Sequence, residues 1–158
     1  MSLHKARIRT LQALVASMTC LATHPRQTEM QQEFGEVYAV RKVRMKSRRR
    51  LLEVLHSTRA LDTALKAFVV AKGCLPRPKH GRPVRAPSSL GGYLTALEEH
   101  SIAGLNRLTA AERRHYQTSI VNVRNVYMHE AGAFPAIDSE VQVLVSEMHA
   151  CLTAVSRL

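Results

Sequence analysis

An all-α protein, folded as a single-domain helical bundle with one basic, proline-rich loop, is what the sequence predicts. Three observations carry that expectation. Apolar residues recur every three or four positions through most of the chain, the period of a helix with one buried face. Leu, Ala, Val, Met, Arg and Glu are abundant while aromatics make up 4% of residues and Trp is absent, a vocabulary that favours helices over strands. Finally, 158 residues suit one domain, which at this size hides roughly two-thirds of its unfolded surface, so residues 1–158 are read as one unit.

The first helix is expected over residues 3–23, with Ile8, Leu11, Val15, Met18 and Leu21 on its buried side and a stop before His24-Pro25. A second starts near Thr28, carries Met30, Phe34, Val37 and Val40, and leads into Arg41, Lys42, Arg44, Lys46, Arg48, Arg49 and Arg50. Seven cations within ten residues cannot all face a core. A third helix, read as able to continue from the second, follows with Leu51, Leu55, Leu61, Leu65 and Phe68 and should end at Gly73. Residues 73–89 then hold Pro76, Pro78, Pro83 and Pro87 together with Arg77, Lys79, His80, Arg82 and Arg85. Proline at this density removes backbone donors, so the segment is expected to be an extended, mobile basic loop.

Ser88 or Ser89 can cap a helix presenting Leu90, Tyr93, Leu94 and Leu97. Thr109-Ala110-Ala111-Glu112 reads as a capping box, opening a helix through Tyr116, Ile120 and Val123 that reaches His129 and stops near Gly132. Asp138 or Ser139 is expected to cap the last helix, whose stripe is Val141, Leu144, Met148, Cys151 and Val155.

Charge divides the chain. Residues 1–87 hold 18 Lys+Arg against 5 Asp+Glu, net +13, and residues 88–158 hold 5 against 7, net −2, giving the overall +11. A field of this size attracts polyanions, and nucleic acid is the commonest in a cytoplasm. The expected nucleic-acid contacts are the cations of residues 41–50 together with Arg77, Lys79, Arg82 and Arg85. So few aromatics leave little scope for reading single-stranded bases by stacking.

Cys20, Cys74 and Cys151 are far apart and make no metal or redox spacing, and no histidine pair suggests zinc. No metal and no cofactor is expected. Lys5, Arg7 and Arg9 ahead of residues 11–22 resemble a signal-peptide start, but Gln12, Ser17 and Thr19 interrupt the apolar run. No stretch approaches the roughly 20 apolar residues of a membrane span. A cytoplasmic protein is expected.

Chemistry is concentrated in Arg124-Asn125-Val126-Tyr127-Met128-His129. The arginine fork can hold a phosphodiester, and the imidazole can accept a proton from an attacking hydroxyl or give one to a leaving oxygen. RNA supplies its own nucleophile in the 2′-hydroxyl, so such a pair needs no metal. Asn125 and His129 are four apart and share a helix face, while Arg124 lies about 100° round from Asn125. A second copy across a two-fold axis could bring each arginine toward the other's histidine.

The Arg124, Asn125 and His129 pattern resembles the Arg-x4-6-His signature of the HEPN superfamily, small helical domains common in prokaryotic toxin and antiviral systems. The resemblance covers this motif and its helical setting. It implies a homodimeric, metal-independent endoribonuclease with Arg124 and His129 of both copies in one composite cleft, Asn125 positioning the arginine or the phosphate, and an antitoxin or defence component as a further partner. Some HEPN toxins carry a tyrosine two residues beyond the histidine, the target of a modifying partner, and Ala131 stands there instead. Arg49 and Arg50 have the same spacing to His56, without the following asparagine or the helix stop, and are read as coincidence. The alternative reading is a non-catalytic helical adaptor that binds nucleic acid through its basic half.

Overall fold

A computed structural model describes residues 3–78, 84–130 and 132–158, with the backbone alone at residues 3, 4 and 41. All regular structure among these residues is helical: α1 (Leu3–Ser17), α2 (Thr19–Ala22), α3 (Gln27–Ala39), α4 (Lys46–Lys72), α5 (Leu90–Glu99), α6 (Ala110–Tyr116), α7 (Val123–His129) and α8 (Asp138–Val155). A short 3-10 turn, Val40–Lys42, follows α3, and a π-helical segment, Gln117–Asn122, joins α6 to α7. None of the described helices is long and apolar enough to cross a membrane.

The expected stripes are the core. Ile8, Leu11, Val15 and Leu21, then Met30, Phe34 and Val37, then Leu61 and Leu65 are each at most 1% exposed. They join Tyr93, Leu94, Leu97, Ile120, Leu144, Met148, Cys151 and Val155 in one apolar cluster. Leu51 and Leu55 are only half-buried. The 27-residue α4 packs against α3, α5, α7 and α8, and α1 lies on α8.

One break departs from the expected helices, and a second separates the pair that the sequence left free to be continuous. The first helix stops at Ser17 because Met18 is extended, with ψ 114°, and α2 restarts at once. Residues 40–45 separate α3 from α4, and Met45 is extended with ψ 109°. The second break has a packing cause. One continuous helix would carry Met30, Phe34 and Val37 away from the core, whereas the break lets α3 fold back along α4, where Glu33 meets His56 Nδ1 at 2.7 Å and Arg59 at 2.9 Å.

The ends of the later helices follow local chemistry. Gly73 takes φ +68°, and the Cys74 and Gly73 amides donate to the carbonyls of Val69 and Val70, the paired bonds that close a helix through a left-handed residue. Ser89 Oγ accepts from the Gly92 amide, and Thr109 and Glu112 form the reciprocal capping box. For α8 the expectation fails in detail: Ile137 is the capping residue and offers no side-chain bond, while Asp138 is already in the first turn, turned toward α4. Glu140 instead ties down the approach to the helix, accepting the Ala136 amide at 2.8 Å.

The π segment was not legible as such. Its wider turn sits just ahead of the Arg124 motif, and within it the adjacent Ile120 and Val121 are both buried. Gln117 donates to Asn122 Oδ1 across it at 3.0 Å, and its carboxamide lies against Gly91 of α5. Such segments are frequent near functional sites.

Candidate active site

Ion pairs set the direction of α7 against α4. Near the start of α4, Arg50 Nε lies 2.6 Å from Asp138 Oδ1 and Arg50 Nη1 donates to the Pro135 carbonyl at 3.2 Å and to that of Ala136. Further along α4, Arg59 and Thr58 line the same cleft as Arg124, with Asp62 one turn beyond. The two helices therefore run in opposite directions, and His129 stands at the end where α4 begins. The exposed cations Lys42, Arg44, Lys46 and Arg48 are at that same end. Half of the sequence supplies the charge and the other half the motif, and the two halves are tied where Arg49 and Arg50 pair with Asp138.

Within the motif the three side chains have different surroundings. Arg124 is half-buried and lines a cleft of 290 Å³ with Thr58, Arg59, Asp62, Ser88, Ser89 and Leu90. Its Nη1 donates to Asn125 Oδ1 at 3.0 Å. Burial pushes the Asp62 carboxyl above its ordinary range, while Arg124 and Lys66 pull it back, which places a carboxylate beside the arginine. His129 is the last residue of α7, is exposed, and its side chain has no hydrogen bond or ion pair among the described residues.

On the regular turn of α7, five residues rotate the direction of a side chain by about 140° net, so one copy does not direct Arg124 and His129 to a common point. The neighbouring residues are anchored. Tyr127 and Met128 pack against the core, and the Tyr127 hydroxyl donates to Glu140 Oε2 at 3.1 Å. Glu130 is exposed, and no described contact joins it to His129. Ala131 lies outside the described residues.

The cationic run of residues 41–50 divides into two groups. Arg49 and Arg50 are only 24% and 14% exposed and grip Asp138, with Arg49 3.2 Å from Oδ2 and also 4.0 Å from Glu53. These two hold the loop that follows His129, a structural task that spacing could not reveal because Asp138 is 88 residues from Arg50. Lys42, Arg44, Lys46 and Arg48 are exposed and have no described partner. The side chain of Arg41, and all of Lys79 and Arg82, lie outside the described residues. Arg77 and Arg85 are exposed on the non-helical residues 74–78 and 84–88. His56, the histidine of the second Arg–His spacing, is taken up by Glu33.

Other nucleophiles and ligands are poorly placed. Burial raises the thiols of Cys20, Cys74 and Cys151, opposite to the shift a nucleophilic thiolate needs. Among the described residues no group of three His, Cys, Asp or Glu side chains could hold a metal ion. Compared with models of protein families, with curated proteins and with solved structures, the chain matches none.

Proposed function

We propose that this protein is a metal-independent endoribonuclease of HEPN type, acting as a cytoplasmic homodimer in a toxin–antitoxin or antiviral defence setting. The observation that carries the reading is a half-buried Arg124, held by Asn125 and faced by Asp62, on the same short helix as an exposed His129. RNA would be drawn in by Lys42, Arg44, Lys46 and Arg48. Arg124 would hold the scissile phosphate and stabilise charge developing on it. His129 would take the 2′-hydroxyl proton or protonate the 5′-oxygen as it leaves, and the 2′-oxygen would displace that 5′-oxygen to give a 2′,3′-cyclic phosphate.

Since Arg124 and His129 of one copy diverge, the composite site would need the second. Val126, Phe134 and Ile137, on α7 and the loop after it, are 41%, 46% and 56% exposed, which leaves apolar surface around the motif for that second copy to cover. The experiment is incubation of purified protein with RNA in excess EDTA, followed by analysis of the ends. Cyclic phosphate and 5′-hydroxyl ends, with DNA spared for want of the internal nucleophile, are expected.

A non-catalytic nucleic-acid-binding adaptor is the second reading. Its supporting observation is that no described side chain orients the His129 ring. Tight RNA binding without cleavage by the dimer would favour it.

A further inference from the structure

The cleft that holds Arg124 does not end at α5. Ser88 and Ser89 line it and also line a second, larger cleft of 680 Å³, whose walls include Arg77, Val84, Arg85, Pro87 and Gly92. The two therefore adjoin at Ser88 and Ser89, at the start of α5. Four arginines from separate parts of the chain line them: Arg59 from α4, Arg124 from α7, and Arg77 and Arg85 from the proline-rich segment.

Charge within the two clefts is unevenly answered. Asp62 is the carboxylate among the lining residues, and it faces Arg124 and Lys66. Arg59 shares Glu33 with His56. The side chains of Arg77 and Arg85 have no hydrogen bond or ion pair among the described residues, although both stand over a cavity. Unpaired guanidinium groups on a concave surface are suited to phosphates, which they can grip with two parallel bonds. Prolines at 76, 78 and 87 favour an extended backbone for the residues just before them, and Arg77 and Arg85 both lie on non-helical backbone.

We infer that these adjoining clefts are the binding track for single-stranded RNA leading to the motif, with Arg77 and Arg85 holding backbone phosphates on one side of Ser88 and Ser89 and Arg124 holding the scissile phosphate on the other. The inference rests on the ribonuclease reading for its ligand, and it assigns to the proline-rich segment a directional task that general electrostatic attraction does not require. The exposed cations at the start of α4 then mark the other side of the scissile position.

The test measures binding of a labelled single-stranded oligoribonucleotide across salt concentrations, in a His129→Ala background so that the RNA stays intact. Each single-strand phosphate that the protein ceases to neutralise flattens the plot of log K against log salt by about 0.7, so Arg77→Gln/Arg85→Gln should flatten it by about 1.4 and weaken binding roughly tenfold near physiological salt. Arg107→Gln/Arg114→Gln removes the same charge from exposed positions on the acidic half and should change the slope far less. Ser88→Glu, an exposed position at the junction, should weaken binding without removing an arginine.

Equal effects of the two double variants, or normal binding by Ser88→Glu, would overturn the track. The ribonuclease reading is scored separately by cleavage with the unaltered motif. Cleavage combined with unaffected binding in Arg77→Gln/Arg85→Gln removes the track alone, and reduced binding in that variant without any cleavage by the parent protein removes the nuclease alone.

Discussion

Asp138 shows how a single side chain can secure a neighbouring site it does not touch. Arg50, by a direct hydrogen bond, and then Arg49 hold its carboxyl below the ordinary range. A carboxylate with a depressed folded pKa adds stability above its unfolded value, about 3.9 for Asp, and that stability is lost as pH falls through the folded value. Asp138→Asn should therefore lower stability at neutral pH and converge on the parent protein in acid. Because the side chain is 56% exposed, solvent screening limits the loss to about 0.2–1 kcal/mol, measurable by urea unfolding at neutral and acid pH. An equal deficit at both pH values would show that Asp138 works through packing and not charge. At this scale the sequence revealed Arg124, Asn125 and His129, since they lie within one short segment. It could not reveal Asp62, Arg59 or Ser88, whose approach to Arg124 depends on how α4 and α5 cross α7.

Helices were more legible than their interruptions. The stripes on α1, α3, α5 and α8 are set by the 3.6-residue period, and Gly73, Ser89 and Thr109 mark ends by bonds within a few residues. Neither Gly nor Pro marks the breaks at Met18 and at residues 40–45, and at the second the packing of α3 against α4, and not local preference, decides. The same limit applies to the cations: one run in sequence becomes two groups, Arg49 and Arg50 turned to Asp138 and Lys42, Arg44, Lys46 and Arg48 turned outward. Replacing Arg44, Lys46 and Arg48 together with Gln should flatten the salt dependence of RNA binding by about two units if all three touch phosphates. Replacing Arg49 and Arg50 should instead reduce stability, because it removes the Asp138 pairs and the bonds to the Pro135 and Ala136 carbonyls. The reverse assignment of effects, read by binding and by unfolding, would contradict the division.

On the scale of the whole molecule, function is expected to require two copies. Sedimentation at micromolar concentration should give a dimer, and Ile137→Asp, which puts a charge on exposed apolar surface beside the motif, should shift it toward monomer and reduce cleavage in proportion. A monomer that still cut RNA would place Arg124 and His129 in independent roles. The most direct test of the central claim compares the parent protein with His129→Ala in excess EDTA. General acid or base catalysis contributes about 10² to 10⁴-fold, so the variant should lose cleavage to that extent while keeping its fold and its RNA affinity. Full cleavage by His129→Ala, or cleavage that appears only when a divalent metal is restored, would contradict the account.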